Sequence, residues 1–435
     1  MSGSVRSLSP AGSPGAPDLL AVIQDETGTT ARYLSRFTVG PKAMTQVWRG
    51  TPALPADTSS VTATRSGNII YAGVGNHLWA VSATTGKQIW AAALSDKVDS
   101  SCDQCVSVVQ GVVVVRTADA YLTAFGPTKA EPLWRSRLNS QSAQAQVLEN
   151  RLVVLDNGPN PGDQSAVRTL DPKSGRTVST FAPQCTSADG STTFGASSGN
   201  TIHAVPGSND LVVAFAEGDG CVVRWNAVTN TVVWRALLEG AGSLQDSSTV
   251  VGAHDMVVAN DSNVMAAIQL DNGSPKLLPV ESDTTAIPSQ IVGRVLIADT
   301  TTSRGTTKGG LEAWGLGSGK RLWSIDAPNG AQHTSTSTAH ESDALFTSSP
   351  RYYLAVTGTK ARLLVFQSDT ANHLYSDQSL DLTTGVLGPD KGGTYKFPDP
   401  GTPSMTVEAI ASGHLLISVD TLVEAIPLGG GPILT

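Results

Sequence analysis

"HLWAVSATTGKQIW", from His77 to Trp90, and "GLEAWGLGSGKRLW", from Gly310 to Trp323, spell one pattern twice, far apart in the chain. Each copy is an alternating apolar run, a Thr/Ser-Gly element and a closing tryptophan. Period-two alternation over a short run marks a strand with two differently lined faces. The glycine supplies a tight turn, because without a Cβ it accepts positive φ at no steric cost. A second short strand then ends on the indole.

Further copies share this core. "VVRWNAVTNTVVW" ends at Trp234, with Asn230 where the first two copies carry glycine; "YLTAFGPTKAEPLW" ends at Trp134 and "YLSRFTVGPKAMTQVW" at Trp48. Degenerate copies put Ser179, Leu277 and Tyr375 in the closing slot. The anchors at 48, 90, 134, 179, 234, 277, 323 and 375 are separated by 42, 44, 45, 55, 43, 46 and 52 residues. A repeat of this length must be read before any local feature. Upstream of the anchor pairs stand further β-rich runs, such as "NIIYAG" (68–73), "GVVVVRT" (111–117) and "DLVVAFAEG" (210–218). Four short strands per period make one antiparallel blade, and the fold class expected is an all-β propeller.

Eight anchors give eight blades, or seven if one degenerate unit is a long insertion. The C-terminal runs within 406–428 and the N-terminal strand pair ending at Trp48 are expected to share one blade and close the ring, which removes exposed edges. Residues 1–18, rich in Ser, Gly and Pro, read as a flexible leader, and 19–435 as a single propeller domain. Trp48, Trp90, Trp134, Trp234 and Trp323, with Tyr375 as a smaller substitute, are expected to wedge one blade against the next. A buried ring removes roughly 150–250 Å² from water. The joints at Ser179 and Leu277 are expected to be looser.

The element Leu-x-Ala-x-x-x-x-Thr-Gly-Lys-x-x-Trp resembles the repeat of the quinoprotein-like (PQQ-like repeat) β-propellers. That family holds PQQ-dependent alcohol dehydrogenases and cofactor-free, BamB-like relatives, including the propeller lipoprotein of the outer-membrane β-barrel assembly machine. The resemblance covers roughly residues 30–430. It implies the fold strongly and the function weakly, because the repeat encodes blade packing. The catalytic branch carries adjacent cysteines; here the nearest feature is "CDQC", Cys102 to Cys105, and no calcium-ligand or base residues match. The non-enzymatic members are the nearer match, so no cofactor is expected. A PQQ/Ca²⁺-dependent dehydrogenase and a carbohydrate- or polymer-binding sensor are the alternatives.

With only 15% charged residues and a formal net charge of −8, the chain lacks the basic footprint of a nucleic-acid binder. It holds no run of about 18 apolar residues, so it shows neither a membrane span nor a signal peptide. A signal or anchor segment removed upstream is expected. Four cysteines suit an oxidising compartment, and the expected disulfides are Cys102–Cys105 and Cys185–Cys221. A redox-active C-x-x-C would want a βαβ unit, and a zinc site four converging ligands. Neither pattern is present.

His333 and His340 flank a polar Ser/Thr run without metal spacing, and Asp156, Asn157, Asn160 and Asp163 read as a turn-rich loop without EF-hand spacing. No nucleophile elbow, Walker sequence or dinucleotide fingerprint occurs. The reading is a non-catalytic, extracytoplasmic scaffold, secreted or membrane-anchored, that binds envelope proteins. The Ala/Thr/Val-rich usage suits an actinobacterial cell envelope. Binding is expected in loops carried on a rigid ring: Asn157–Gln164, Pro183–Thr201, Ser303–Gly309 and Thr383–Pro403.

Overall fold

The computed structural model describes residues 4–427 apart from 11–17, 25–31, 40–43, 51–53, 55–60, 100–104, 142, 157–165, 183, 187–192, 196–200, 216–220, 239–247, 260–263, 282–283, 303–307, 327–331, 334–350, 358–359, 369–372, 392, 396–404, 412–413 and 420–421. All described regular structure is strand, and the chain is a β-propeller. The stretch that opened the sequence analysis shows how a unit forms. Val61–Ser66, Ile69–Val74, His77–Ser82 and Gln88–Ala93 pair antiparallel, each with the next in the chain. We number the sheets in chain order by the residues they span. Sheets 1 to 7 cover 4–49, 61–93, 106–137, 144–181, 201–237, 248–278 and 284–326, and each has four strands in sequence order. Sheet 8 (332–395) has five strands and sheet 9 (405–427) three. A short hairpin, Gln184–Thr186 with Thr193–Gly195, lies between sheets 4 and 5.

The described core is divided into several clusters. Among the described residues, each apolar cluster sits between two consecutive sheets. Leu20, Val22 and Trp48 of sheet 1 pack on Ile70 and Trp79 of sheet 2. Val153 and Val167 of sheet 4 pack on Leu211, Val223 and Trp225 of sheet 5. Met265 and Ala267 of sheet 6 pack on Leu296 and Trp314 of sheet 7. The first strand of sheet 2 lies beside those of sheets 1 and 3, and the first strand of sheet 6 beside those of sheets 5 and 7. First strands side by side and faces stacked are what propeller packing requires.

The chain ends differ from the sequence expectation. The N-terminal segment supplies all four strands of its own sheet, beginning with Ser4–Pro10 inside the stretch read as a flexible leader. The C-terminal runs form sheet 9 by themselves, and its first strand approaches the first strand of sheet 1. Among the described residues no blade is shared between the chain ends by pairing. The physical reason is that "SVRSLSP" and "DLLAVIQ" already satisfy each other's backbone groups before Trp48 is reached.

A bulge recurs in the fourth strand. In sheets 1, 2, 3, 4, 5 and 7 the residue immediately before the anchor slot is skipped by the ladder. The skipped residues are Val47, Ile89, Leu133, Val178, Val233 and Leu322, all exposed. Each bulge turns the next side chain inward against the following sheet.

Candidate functional site

The anchor indoles share one geometry. Trp48 Nε1 donates to the Ala83 carbonyl of the next sheet at 2.8 Å, and Trp90 to Pro127 at 3.0 Å. Trp134 donates to Pro172 at 2.7 Å, Trp234 to Leu270 at 2.7 Å and Trp323 to Leu382 at 2.9 Å. The acceptor is always the first or second residue of the turn between third and fourth strands of the following sheet. The turn glycine then lies on the ring: a Cβ added at Gly273, where φ is +73°, would stand 2.7 Å from Trp234. These indoles are closed off by the neighbouring sheet. They do not fit as an open platform for a quinone.

Joints lacking an anchor tryptophan are filled from the other side. Where Ser179 occupies the slot, its Oγ donates to the Ala227 carbonyl at 3.2 Å, the equivalent of the indole acceptor. The missing ring is supplied by Trp225 of the following sheet, fully buried and stacked on Phe181 at 5.1 Å. With no indole over its turn, that sheet has room for Asn230 at φ 55°, whose Oδ1 accepts from Trp225 Nε1 at 3.1 Å.

The same exchange occurs at the next Trp-less joint. Sheet 6 has no fourth-strand bulge, so Leu277 turns outward and is 56% exposed. Lys276 takes the inward place opposite Ala267, and its Nζ donates to the Gly317 carbonyl at 3.0 Å. Trp314 of sheet 7, with no exposed surface, supplies the ring. Its turn carries Gly319 in place of asparagine, and Trp314 Nε1 has no partner among the described residues. At the Ser179 and Leu277 joints, then, the buried ring comes from the following sheet and not from the anchor slot.

Tyr375 is also placed differently. It stands in the third antiparallel strand of its sheet, His373–Asp381, opposite Phe366, and upstream of the turn on which Trp323 docks. The "SDTAN" run that imitated the docking turn connects the second and third strands instead. Cys105 and Cys221 are each disulfide-bonded, and no described cysteine is free. Cys102 lies outside the described residues, and the structure describes only the backbone of Cys185.

Antiparallel order sorts every connection to one of two ends. Those after first and third strands leave the turn end; those after second and fourth strands leave the opposite, loop end. Turn-end connections are two to six residues long, apart from 11–17 and 382–392. Loop-end connections run from two residues (75–76) to the 24 between Asp326 and Arg351, which include the short strand Gln332–His333. The expected binding loops 157–164, 183–201 and 303–309 leave the loop end, as does 396–403, but 383–392 belongs to the turn end. Most of these loops, and His340, lie outside the described residues.

Described loop-end residues tie the connections to the strands. The Asn139 N–H donates to Asp156 Oδ1 at 3.0 Å, so the segment after sheet 3 crosses the end of the second strand of sheet 4. Burial pushes the Asp156 carboxyl up, outweighing its bond to Arg168. Asp99 pairs with Arg116 at 3.2 Å. Burial works against ionised Asp119, but bonds from Thr117 and Ser95 and the charge of Arg135 outweigh it and hold the carboxyl below the usual range. Among the described residues no three metal-ligating side chains converge.

The profile of the family described as outer membrane protein assembly factor BamB matches residues 38–167 and 163–391. No curated protein sequence matches the chain. BamB from Moraxella catarrhalis is similar at 14% identity, over 68% of this chain and 82% of that one, with a TM-score of 0.40. The computationally designed Ika8 protein is similar at 13% identity, over 98% and 97%, TM-score 0.43. The quinohemoprotein alcohol dehydrogenase ADHIIG from Pseudomonas putida HK5 is similar at 12% identity, over 82% and 69%, TM-score 0.43.

Proposed function

The chain belongs to the family described as outer membrane protein assembly factor BamB, and from that premise we propose that it is a non-catalytic propeller that docks envelope proteins through its loop end. The observation that carries this is the sorting of connections by length. Four of the five turns that receive a neighbouring indole are five or six residues long, the exception being 382–392, which receives Trp323. Connections at the other end carry no such duty, so their length and composition are free to serve recognition.

An extracytoplasmic site is part of the proposal. Two described cysteines in disulfides suit an oxidising compartment. The pairs 102–105 and 185–221 are the proposed connectivity, and both lie at the loop end. There they would staple its connections.

The test is site-specific photo-crosslinking in cells of the native source. A photoreactive residue at Gly162, Asp219 or Gly305 is expected to give discrete protein adducts. The same residue at Thr85, Lys173 or Asn272 is expected to give none. Adducts from the turn end alone would overturn the assignment of the face, and no adducts at any position would overturn protein docking.

A further inference from the structure

Of the numbered sheets, sheet 9 alone has fewer than four strands among the described residues. Its strands Met405–Ala411, His414–Val419 and Leu422–Pro427 pair antiparallel in chain order. Leu422–Pro427 therefore stands where the other sheets carry their third strand. Its outer side has no pairing partner among the described residues. A strand edge left in this state offers a row of backbone donors and acceptors to any other chain.

The sequence that continues from this strand spells the repeat once more. "LVEAIPLGGGPILT" (Leu422 to Thr435) aligns without a gap on "GLEAWGLGSGKRLW" (Gly310 to Trp323). Glu424, Ala425, Leu428, Gly429, Gly431 and Leu434 match Glu312, Ala313, Leu316, Gly317, Gly319 and Leu322. In sheet 7 the first two of these lie in the third strand and the next three in the docking turn, where Gly319 holds φ +69°. Leu322 is the residue skipped by the ladder. Thr435 thus falls in the closing slot, in a segment, 428–435, that lies outside the described residues.

Sheet 1 carries the other half of such a joint. Where the closing slot holds no indole, the ring comes from the following sheet, as Trp225 and Trp314. Phe37 has that position in sheet 1: here, as at Trp225, the ladder shifts between the ring and the arginine before it. Phe37 is 1% exposed. It lies three residues from Leu34, which packs toward sheet 2, so strand alternation sends Phe37 to the opposite face. The first strand of sheet 1 lies between those of sheets 2 and 9. We propose that residues 428–435 supply the fourth strand of sheet 9, with Thr435 against the Val39 carbonyl of sheet 1 as Ser179 stands against Ala227. The chain then closes its own ring and covers with its own segment an edge that another chain's strand could take. This latch goes beyond the docking reading and does not depend on it.

Hydrogen–deuterium exchange on the full chain tests the latch. Peptides covering 422–427 and 428–435 are expected to exchange about tenfold or more slowly than in the urea-unfolded chain. Truncation after Pro427 is expected to speed exchange in 422–427 by about tenfold or more and to leave 201–237 unchanged. Gly431→Val keeps the chain length and serves if the truncated chain does not fold. It puts a β-branched residue where the matching Gly319 has positive φ, and is expected to speed exchange in 422–427 by about threefold or more. Fast exchange of 428–435 in the full chain, or exchange in 422–427 that ignores both changes, overturns the proposal. Slowing of 422–427 that appears only as protein concentration rises would give the edge to a second copy and overturn it as well.

Discussion

The turn end and the loop end of the sheets are built from the same strands and do opposite work. At the turn end an indole from one sheet reaches a fixed carbonyl of the next, and the turns also bond to each other. The Gln110 N–H donates to Asn150 Oδ1 at 3.2 Å, Arg151 to Asn209, and Arg294 Nε to Asp255 at 3.2 Å. At the loop end the connections vary widely in length. What unites the sheets is thus separated from what is free to vary. Substitutions at the first end should act on stability and those at the second on recognition.

The largest break in this comparison comes from Trp234→Ala. Removing a buried indole and its bond to Leu270 should cost about 3–5 kcal/mol in urea denaturation. Asp96→Asn, in the loop-end connection after sheet 2, should stay within about 0.5 kcal/mol of the parent. Equal losses would erase the distinction between the ends.

Gly273→Asn sharpens it next. The new Cβ meets the Trp234 ring, which should cost about 1–3 kcal/mol. Asn230, at the same turn position one sheet earlier, has no anchor indole above it and is native there. The two turns therefore differ by what the preceding sheet provides.

Gly319→Asn should raise stability by about 1 kcal/mol, by giving buried Trp314 Nε1 the amide acceptor that Trp225 already has. The added Cβ meets only the flexible end of Lys276, which can move aside. A loss on chemical denaturation would show that Lys276 and Gly319 form a constraint of their own.

The smallest effect concerns His203, in the first strand of sheet 5, bonded to Thr249 in the first strand of sheet 6. Burial holds its pKa below the ordinary value. The neutral form is favoured when folded, so this stability is fully present above the unfolded pKa of about 6.5 and is lost as pH falls below it. His203→Gln should flatten that part of the stability–pH curve in chemical denaturation, and an unchanged curve would contradict the assignment.

The period and the five closing indoles were legible in the sequence, because two clear copies share a glycine four residues before the tryptophan and the other indoles recur at nearly the same spacing. The relocated rings were harder to see. Trp225 and Trp314 immediately precede the turn segments Asn226–Asn230 and Gly315–Gly319, and the sheets before them end on Ser179 and Leu277. That reciprocity was readable in principle, but searching for tryptophan at one slot hides it. The substitution of Lys276 for Leu277 depends on a missing bulge, which leaves the residue count unchanged and gives no sequence signal. Tyr375 misled because a hairpin loop of Ser, Asp, Thr and Asn mimics the docking turn. Candidate binding loops were recognisable by composition. Their division between two ends required strand order, which places 383–392 opposite the others.

Hydrogen–deuterium exchange on the crosslinked or purified partner complex tests the central division most directly. Binding should slow exchange in peptides covering 157–165, 216–220 and 303–307 and leave those covering 83–87, 171–176 and 270–274 unchanged. Slowed exchange confined to the second group would place recognition on the indole-docking turns and contradict the account.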